Sequence, residues 1–476
     1  MYERFGLFID GAWAGGAGTA AVESPVSEQV IGHAPQAGSA ETGAAIAAAG
    51  RGLAAWSGLT GWERADRLHA VATEMAARAE EAARMISAET GKPLAQSRRE
   101  WGLSSDQFRW YAEEARRVTG RLVESRVPGG RFEVHHPPVG IAAAFTAWNF
   151  PAVLLARKIA PALAAGCSVV ARPSGRTPGT AMMIFDCLRA GDLPAGAVNL
   201  VIGPTEATYA PIMAAPEVRK VSLTGSTRVG RQMVRDAAET MKRVSMELGG
   251  NAPLIIHDDA DLEAALDAAV PTKFANAGQV CVTPDRFFVH ERLYEPFVEG
   301  FAARAARLTL GDGLNEDTQM GPMISAGARA AAEAAVREAV SAGARLVTGG
   351  QRPAEMNTGH FLAPTVLADV SDEARVFAEE NFAPIAAITR FSDEEEAIAR
   401  ANASPMGLSA YCFTRSPGRA RRAVAGLAAG MVGINSFALA AAEVPFGGTN
   451  QSGMGREGGP EGIEGYLDTR LAQIAW

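Results

Sequence analysis

Four short segments join reactive side chains to small, turn-forming ones: Thr146-Ala147-Trp148-Asn149-Phe150-Pro151, Leu223-Thr224-Gly225-Ser226-Thr227, Glu247-Leu248-Gly249-Gly250-Asn251 and Gly278-Gln279-Val280-Cys281. A thiol becomes a good nucleophile only beside a base or in a positive or hydrogen-bonding environment, and a carboxylate such as Glu247 can supply the base. Cys281 follows a Gly-Gln turn at the end of a predicted helix, a setting that suits a reactive thiol or an inert one. Cys167, Cys187 and Cys412 fall in apolar or helical contexts and read as core cysteines. Glu247 ends a strand and reads as a base or as a solvated strand-end charge. Asn149, between two aromatic residues, either donates into an oxyanion hole or steadies the turn before Pro151. The run Gly225-Ser226-Thr227-Arg228-Val229-Gly230 opens a helix, so its N–H groups and hydroxyl either meet a pyrophosphate or cap the helix. The first strand-to-helix turn lacks the G-x-G-x-x-G fingerprint, so no cofactor argument can rest on it.

These segments need a scaffold, and the chain between 139 and 257 supplies the pattern of one. Short apolar β-prone runs alternate there with helix-like segments, as in a parallel α/β sheet. The pattern predicts strands over 139–146, 168–172, 197–202, 220–223, 243–247 and 253–257, with helices after Pro151, Thr177, Thr205, Ser226 and Asp259. Thr177 precedes a proline and Ser226 precedes its helix, so both hydroxyls are candidate caps. Each of the four segments lies at a strand end or in a loop, and open α/β sheets bind ligands beyond the carboxyl ends of their strands. The first ~115 residues are Ala-rich, with helices expected near 40–55, 61–90 and 98–118, packed around that sheet. A second α/β series is expected after residue 258, with helices near 259–277, 293–308, 327–342 and 393–402 and strands near 286–289, 385–389 and 409–413. Residues 120–136 and 462–476 read as strands without a sheet of their own, which suggests pairing between subunits.

At 476 residues the chain exceeds one ordinary domain. Hydrophobic residues at 47%, charged residues at 21% and a mean hydropathy near zero describe a globular protein. A net charge of −8 provides no basic stripe for a phosphate backbone, so nucleic acid is not expected as a partner. Four widely spaced cysteines form neither a disulfide framework nor a metal site, so no metal is expected and a reducing cytoplasm fits. Residues 423–442 carry no charge, but Gly426, Gly430, Gly433, Asn435 and Ser436 interrupt them, so they read as a buried strand and loop; no membrane partner is expected.

Together the segments resemble the NAD(P)-dependent aldehyde dehydrogenase superfamily, in the same order and over essentially the whole chain. Glu89-Thr-Gly-Lys92-Pro, Glu379-Glu380-Asn-Phe382 and Pro445-Phe446-Gly-Gly448 complete the match. The resemblance implies an α/β fold with a Rossmann-type cofactor domain (1–120 and 139–249), an α/β catalytic domain (250–445) and a small β oligomerisation element (121–138 and 456–476). It implies Cys281 as nucleophile, Glu247 as general base, Asn149 with the Cys281 N–H as oxyanion hole, and Lys158 beside the site. Trp148, Arg172, Gly225, Ser226, Glu380 and Phe382 match cofactor contacts. The implied reaction is non-acylating oxidation of a small-molecule aldehyde to its acid through a Cys281 thioester, in a homodimer or homotetramer.

Two departures bear on specificity. The segment Arg172-Pro173-Ser174-Gly175-Arg176 has glycine where NAD-preferring members carry glutamate. Removing that carboxylate leaves room for a 2′-phosphate that Arg172, Ser174 and Arg176 can bind, so NADP is favoured over NAD. The nearest likeness is to succinate-semialdehyde dehydrogenases, through Ala156-Arg157-Lys158 and Gly453-Met-Gly-Arg-Glu457. Arg157 matches an arginine that holds the substrate carboxylate there, with Phe150 and Phe446 also expected at the substrate. A second substrate arginine of those enzymes falls at Ala275, and their nearby serine falls at Ala440-Ala441. The expected substrate is a carboxylated semialdehyde, with a larger aromatic or aliphatic aldehyde as the alternative.

Overall fold

The computed structural model describes residues 2–475; Trp476, which was assigned to the oligomerisation element, lies outside them. Five parallel strands form the centre of the first sheet, in the order Val198–Leu200, Ser168–Arg172, Ile141–Phe145, Val218–Thr224 and Arg243–Glu247. In chain order this is third, second, first, fourth, fifth. The order reverses between Ile141–Phe145 and Val218–Thr224, and it is at such a reversal that the loops leaving adjacent strands part to open a crevice.

The helices that return the chain start and stop for local reasons. Pro151 opens the wholly buried helix Pro151–Ala165, and Gly166, at φ 94°, ends it in the left-handed conformation that glycine adopts without strain. Ser226 caps Thr227–Ala238 as expected, accepting from the Val229 N–H at 3.4 Å. Thr177 does not cap Pro178–Leu188: its hydroxyl has no partner. The buried carboxylate of Glu89 takes that place, accepting from the N–H groups of Gly179 at 2.6 Å and Thr180 at 2.9 Å.

The second sheet runs Arg345–Thr348, Thr365–Ala368, Ile385–Phe391, Pro284–His290, Ala252–Ile256, Ser409–Phe413 and Met431–Ile434, all parallel except the first. Ala252–Ile256, expected as the last strand of the first series, belongs here. Each sheet has its own apolar core.

Before Ser39, ahead of the first expected helix, the N-terminal region is made of strands. Leu7–Ile9 and Ala12–Ala14 extend the first sheet, while Gly18–Glu23 and Val30–Gln36 form a separate hairpin. The helix expected over 61–90 is two, Gly61–Ala77 and Ala79–Thr90, divided at Arg78. The two strands without a sheet pair with each other inside the chain: Arg121–Glu124, Gly130–His135 and Arg470–Ala475 form a three-stranded antiparallel sheet. The uncharged stretch 423–442 holds the end of helix Pro417–Gly426, strand Met431–Ile434 and a loop. No helix among the described residues is long and apolar enough to cross a membrane.

Candidate active site

Glu247 ends its strand in the first sheet, and Ala252 begins one in the second. The four residues between them carry the chain from the carboxyl end of one sheet to the amino end of the other. Cys281, just before Pro284–His290, therefore lies at an amino end, not at the carboxyl end where open α/β sheets bind ligands. The two glycines of the crossing leave space that other residues fill: a Cβ on Gly249 would lie 2.5 Å from Glu380 Oε2, and one on Gly250 would strike the Cys281 carbonyl. The Gly250 N–H donates to Glu380 Oε1 at 3.1 Å.

The helix before the cysteine ends at Phe274, and Asn276, Ala277 and Gly278 follow at φ 46°, 54° and 71°. This left-handed run is strained for the two residues that bear a Cβ. Buried hydrogen bonds hold it. Gln279 donates from Nε2 to the Asn276 carbonyl at 2.8 Å and accepts at Oε1 from the Ile324 N–H at 2.8 Å. Asn149 Nδ2 donates to the Gln279 carbonyl at 3.1 Å, which ties the Asn149 loop to the Cys281 loop and leaves one amide N–H of Asn149 free. Cys281 itself is half-buried, against an apolar cluster of Leu408, Met431 and Phe446 with Val282, Leu439 and Ala440. Burial, followed by the charges of Glu380 and Glu247, pushes its thiol up to about 12. Burial also raises Cys167, to about 11, and Cys187 and Cys412, each to about 12. What separates Cys281 from the other three is exposure, because they are fully buried.

Glu247 is buried, and neither carboxylate oxygen has a hydrogen-bond partner. Burial, with Glu457 next, holds its carboxyl well above the usual range. A Cβ on Gly447 would lie 2.7 Å from Glu247 Oε1, so this glycine makes room for the carboxylate. Lys158, buried on helix Pro151–Ala165, donates to Ser222 Oγ at 3.0 Å and pairs with Glu457. Arg157, its neighbour, is buried with its guanidinium 4.2 Å from the centre of the Phe446 ring, and its Nε has no partner. Phe446 therefore joins Arg157 to the cluster around Cys281. Phe150 is not part of that cluster, as its ring faces the Lys92 ammonium at 3.9 Å. Ala275, half-buried, opens the 3-10 turn Ala275–Gly278.

The residues expected at a cofactor border one groove. Trp148 and Phe382 meet edge to face at 5.8 Å and, with Glu380 and the alanines of helix Ala326–Ser341, line a cleft of about 250 Å³. Burial pushes Glu380 up to about 7. The Gly225 N–H donates to the Glu247 carbonyl at 3.0 Å, and Ser226 is exposed at the start of its helix. Arg172 is turned inward, donating to Thr208 Oγ1 at 3.2 Å and to the Gly203 carbonyl at 3.0 Å. Ser174 is half-buried, and Gly175 and Arg176 are exposed; a Cβ on Gly175 meets nothing within 4 Å. An open glycine, an exposed helix start at Ser226 and an aromatic-walled cleft bearing a carboxylate suit a dinucleotide.

Residue-by-residue reading of the sequence did not find the buried charges that support these loops. Lys92 pairs with Glu100, and Lys273 pairs with Asp285, both at 2.5 Å. Asp285 Oδ2 accepts from the Asn381 N–H at 3.0 Å, which steadies the segment carrying Glu380 and Phe382. The Glu89–Lys92 motif was a visible signal with no visible role.

A model described as the aldehyde dehydrogenase family matches residues 13–472. The chain is 43% identical to 3-sulfolactaldehyde dehydrogenase of Pseudomonas putida, over 97% of this chain and 95% of that protein. It is 41% identical to the NADP(+) succinate-semialdehyde dehydrogenase of Escherichia coli, over 98% and 97%. Among solved structures it resembles succinate-semialdehyde dehydrogenase from Burkholderia pseudomallei, with a TM-score of 0.97 at 40% identity over 99% of this chain and 98% of that one.

Proposed function

The chain belongs to the aldehyde dehydrogenase family, and from that premise we propose that it oxidises an aldehyde bearing a second, anionic group to the carboxylic acid, with NADP favoured over NAD. The observation that carries this reading is Arg157. Its cation is buried and stacked on Phe446, its Nε lacks an acceptor, and the same ring packs in the cluster that holds Cys281. A buried charge is costly unless paired, and an anionic substrate group supplies the pair. Two relatives act on aldehydes whose names include a sulfonate or a second carboxyl function, in accord with this chemistry.

In this reading the half-exposed Cys281 gives its thiol proton to solvent as its sulfur attacks the aldehyde carbon, and the free Asn149 N–H and the Cys281 backbone N–H receive the oxygen as it becomes an alkoxide. Bound nicotinamide supplies the hydride acceptor. A thioester on Cys281 remains, and Glu247 takes a proton from the water that releases the acid. The charge of Lys158, which pairs with Glu457, works against burial and favours the carboxylate form of Glu247 that can take this proton. The open Gly175, with Ser174 and the exposed Arg176, leaves room and charge for a 2′-phosphate.

Arg157→Ala tests the substrate class. With a panel of ω-anionic, aliphatic and aromatic aldehydes, kcat/KM should fall at least tenfold for the anionic members, about the value of a charge-assisted hydrogen bond, and change little for the others. Equal losses across the panel would remove the anion-binding reading and favour the alternative, a larger aromatic or aliphatic aldehyde.

A further inference from the structure

The ion pair of Lys92 and Glu100 has no side-chain exposure on either partner. Such a pair is a poor source of stability, since the desolvation of two charges offsets their attraction and apolar residues of similar volume often serve as well. Its hydrogen bonds converge on one short segment. Lys92 Nζ donates to the Asn149 carbonyl at 2.6 Å and lies 3.9 Å from the centre of the Phe150 ring. Glu100 accepts from Lys92 at one oxygen and from the Ala152 N–H at the other, at 2.8 Å, in the first turn of helix Pro151–Ala165. The Asn149 carbonyl also accepts from Asn276 Nδ2 at 3.2 Å, and the Asn149 amide donates to the Gln279 carbonyl. Asn149 is thus held between the Lys92 pair and the loop that ends in Cys281.

We propose that Lys92, with Glu100 as its counter-charge, is a positioning residue for Asn149, fixing that peptide so that its free amide N–H meets the oxygen that develops above Cys281. The inference rests on the reading of Asn149 as an oxyanion donor. Lys92 is placed to touch neither substrate nor cofactor and acts through the backbone carbonyl it grips. An oxyanion donor acts on charge that appears in the transition state, so a small displacement slows the chemical step while leaving ground-state binding nearly unchanged.

The test is a rapid-mixing double-mutant cycle. The paired variant Lys92→Met with Glu100→Gln removes the charges together and leaves no lone buried ion. Its first-turnover rate of cofactor reduction should fall roughly tenfold to a hundredfold, with the aldehyde KM and cofactor Kd changed less than about twofold. Added to Asn149→Ala, the same pair of substitutions should cause no further loss. An undiminished first turnover in the paired variant, or losses that multiply in the combined variant, would overturn the proposal. An undiminished first turnover in Asn149→Ala would instead remove the oxyanion reading on which it rests. If the paired variant does not fold, Lys92→Arg keeps the charge and changes the geometry: it should show the same selective loss, and a full wild-type rate would overturn the proposal.

Discussion

Burial raises both Glu247 and Cys281, and the charges of Glu380 and Glu247 raise the thiol further. A thiol pushed up to about 12 is almost wholly un-ionised at neutral pH, so attack on an aldehyde must be coupled to removal of its proton. Sequence alone left Cys281 between reactive and inert; the left-handed turn before it and its half-exposure give physical reasons that spacing could not. Arg157 was legible only through resemblance, because its lack of an acceptor depends on residues far away in the chain. Gly175 makes a test at this scale. Nothing lies within 4 Å of an added Cβ, so Gly175→Glu should fold normally. Its carboxylate would repel a 2′-phosphate, so the ratio of kcat/KM for NADP to that for NAD should fall by about tenfold or more. An unchanged ratio from initial rates would mean that this loop does not set the preference.

Strands and helices were easiest to read where periodicity and caps agreed, as at Pro151–Ala165 and Thr227–Ala238. Sheet membership was harder. Ala252–Ile256 looks like a sixth strand of the first series, yet the two-glycine crossing sends it to the second sheet, where its partners are over thirty and over a hundred residues away. The same long-range logic hid Lys220, a strand lysine turned into the first core. Burial, then the charge of Lys158, lowers it to about 7, and Ser245 Oγ accepts from it at 2.6 Å. The unfolded chain keeps that proton up to about pH 10.5, so between about 7 and 10.5 the unfolded state binds more protons and stability rises with pH. Below about 7 the cost of burying the charge is present in full. Lys220→Met should therefore raise Tm at pH 6 by a few degrees, with a smaller gain at pH 10. Thermal scans with equal gains at both pH values would contradict this account.

The whole molecule draws loops from two sheets into one crevice: the carboxyl end of the first brings Asn149 and Glu247, and the amino end of the second brings Cys281. Sequence order showed that the segments exist; only the facing ends of the two sheets explain why they converge. The three-stranded sheet stands outside both cores and leaves Leu122 66% and Leu471 64% exposed. Exposed apolar strands favour self-association, and we propose that this element joins copies of the chain in a dimer or tetramer. Leu122→Asp with Leu471→Asp should shift sedimentation toward monomer; a wild-type chain already monomeric at micromolar concentration would remove the idea. The central claim is the covalent route through Cys281, with Glu247 acting after hydride transfer, when the thioester is released. Glu247→Gln, mixed rapidly with aldehyde and cofactor, tests it most directly. The account predicts a burst of reduced cofactor near one per active site, slow turnover afterwards, and an acyl adduct on Cys281 by mass spectrometry. Loss of burst and turnover together, with Cys281 unmodified, would contradict it.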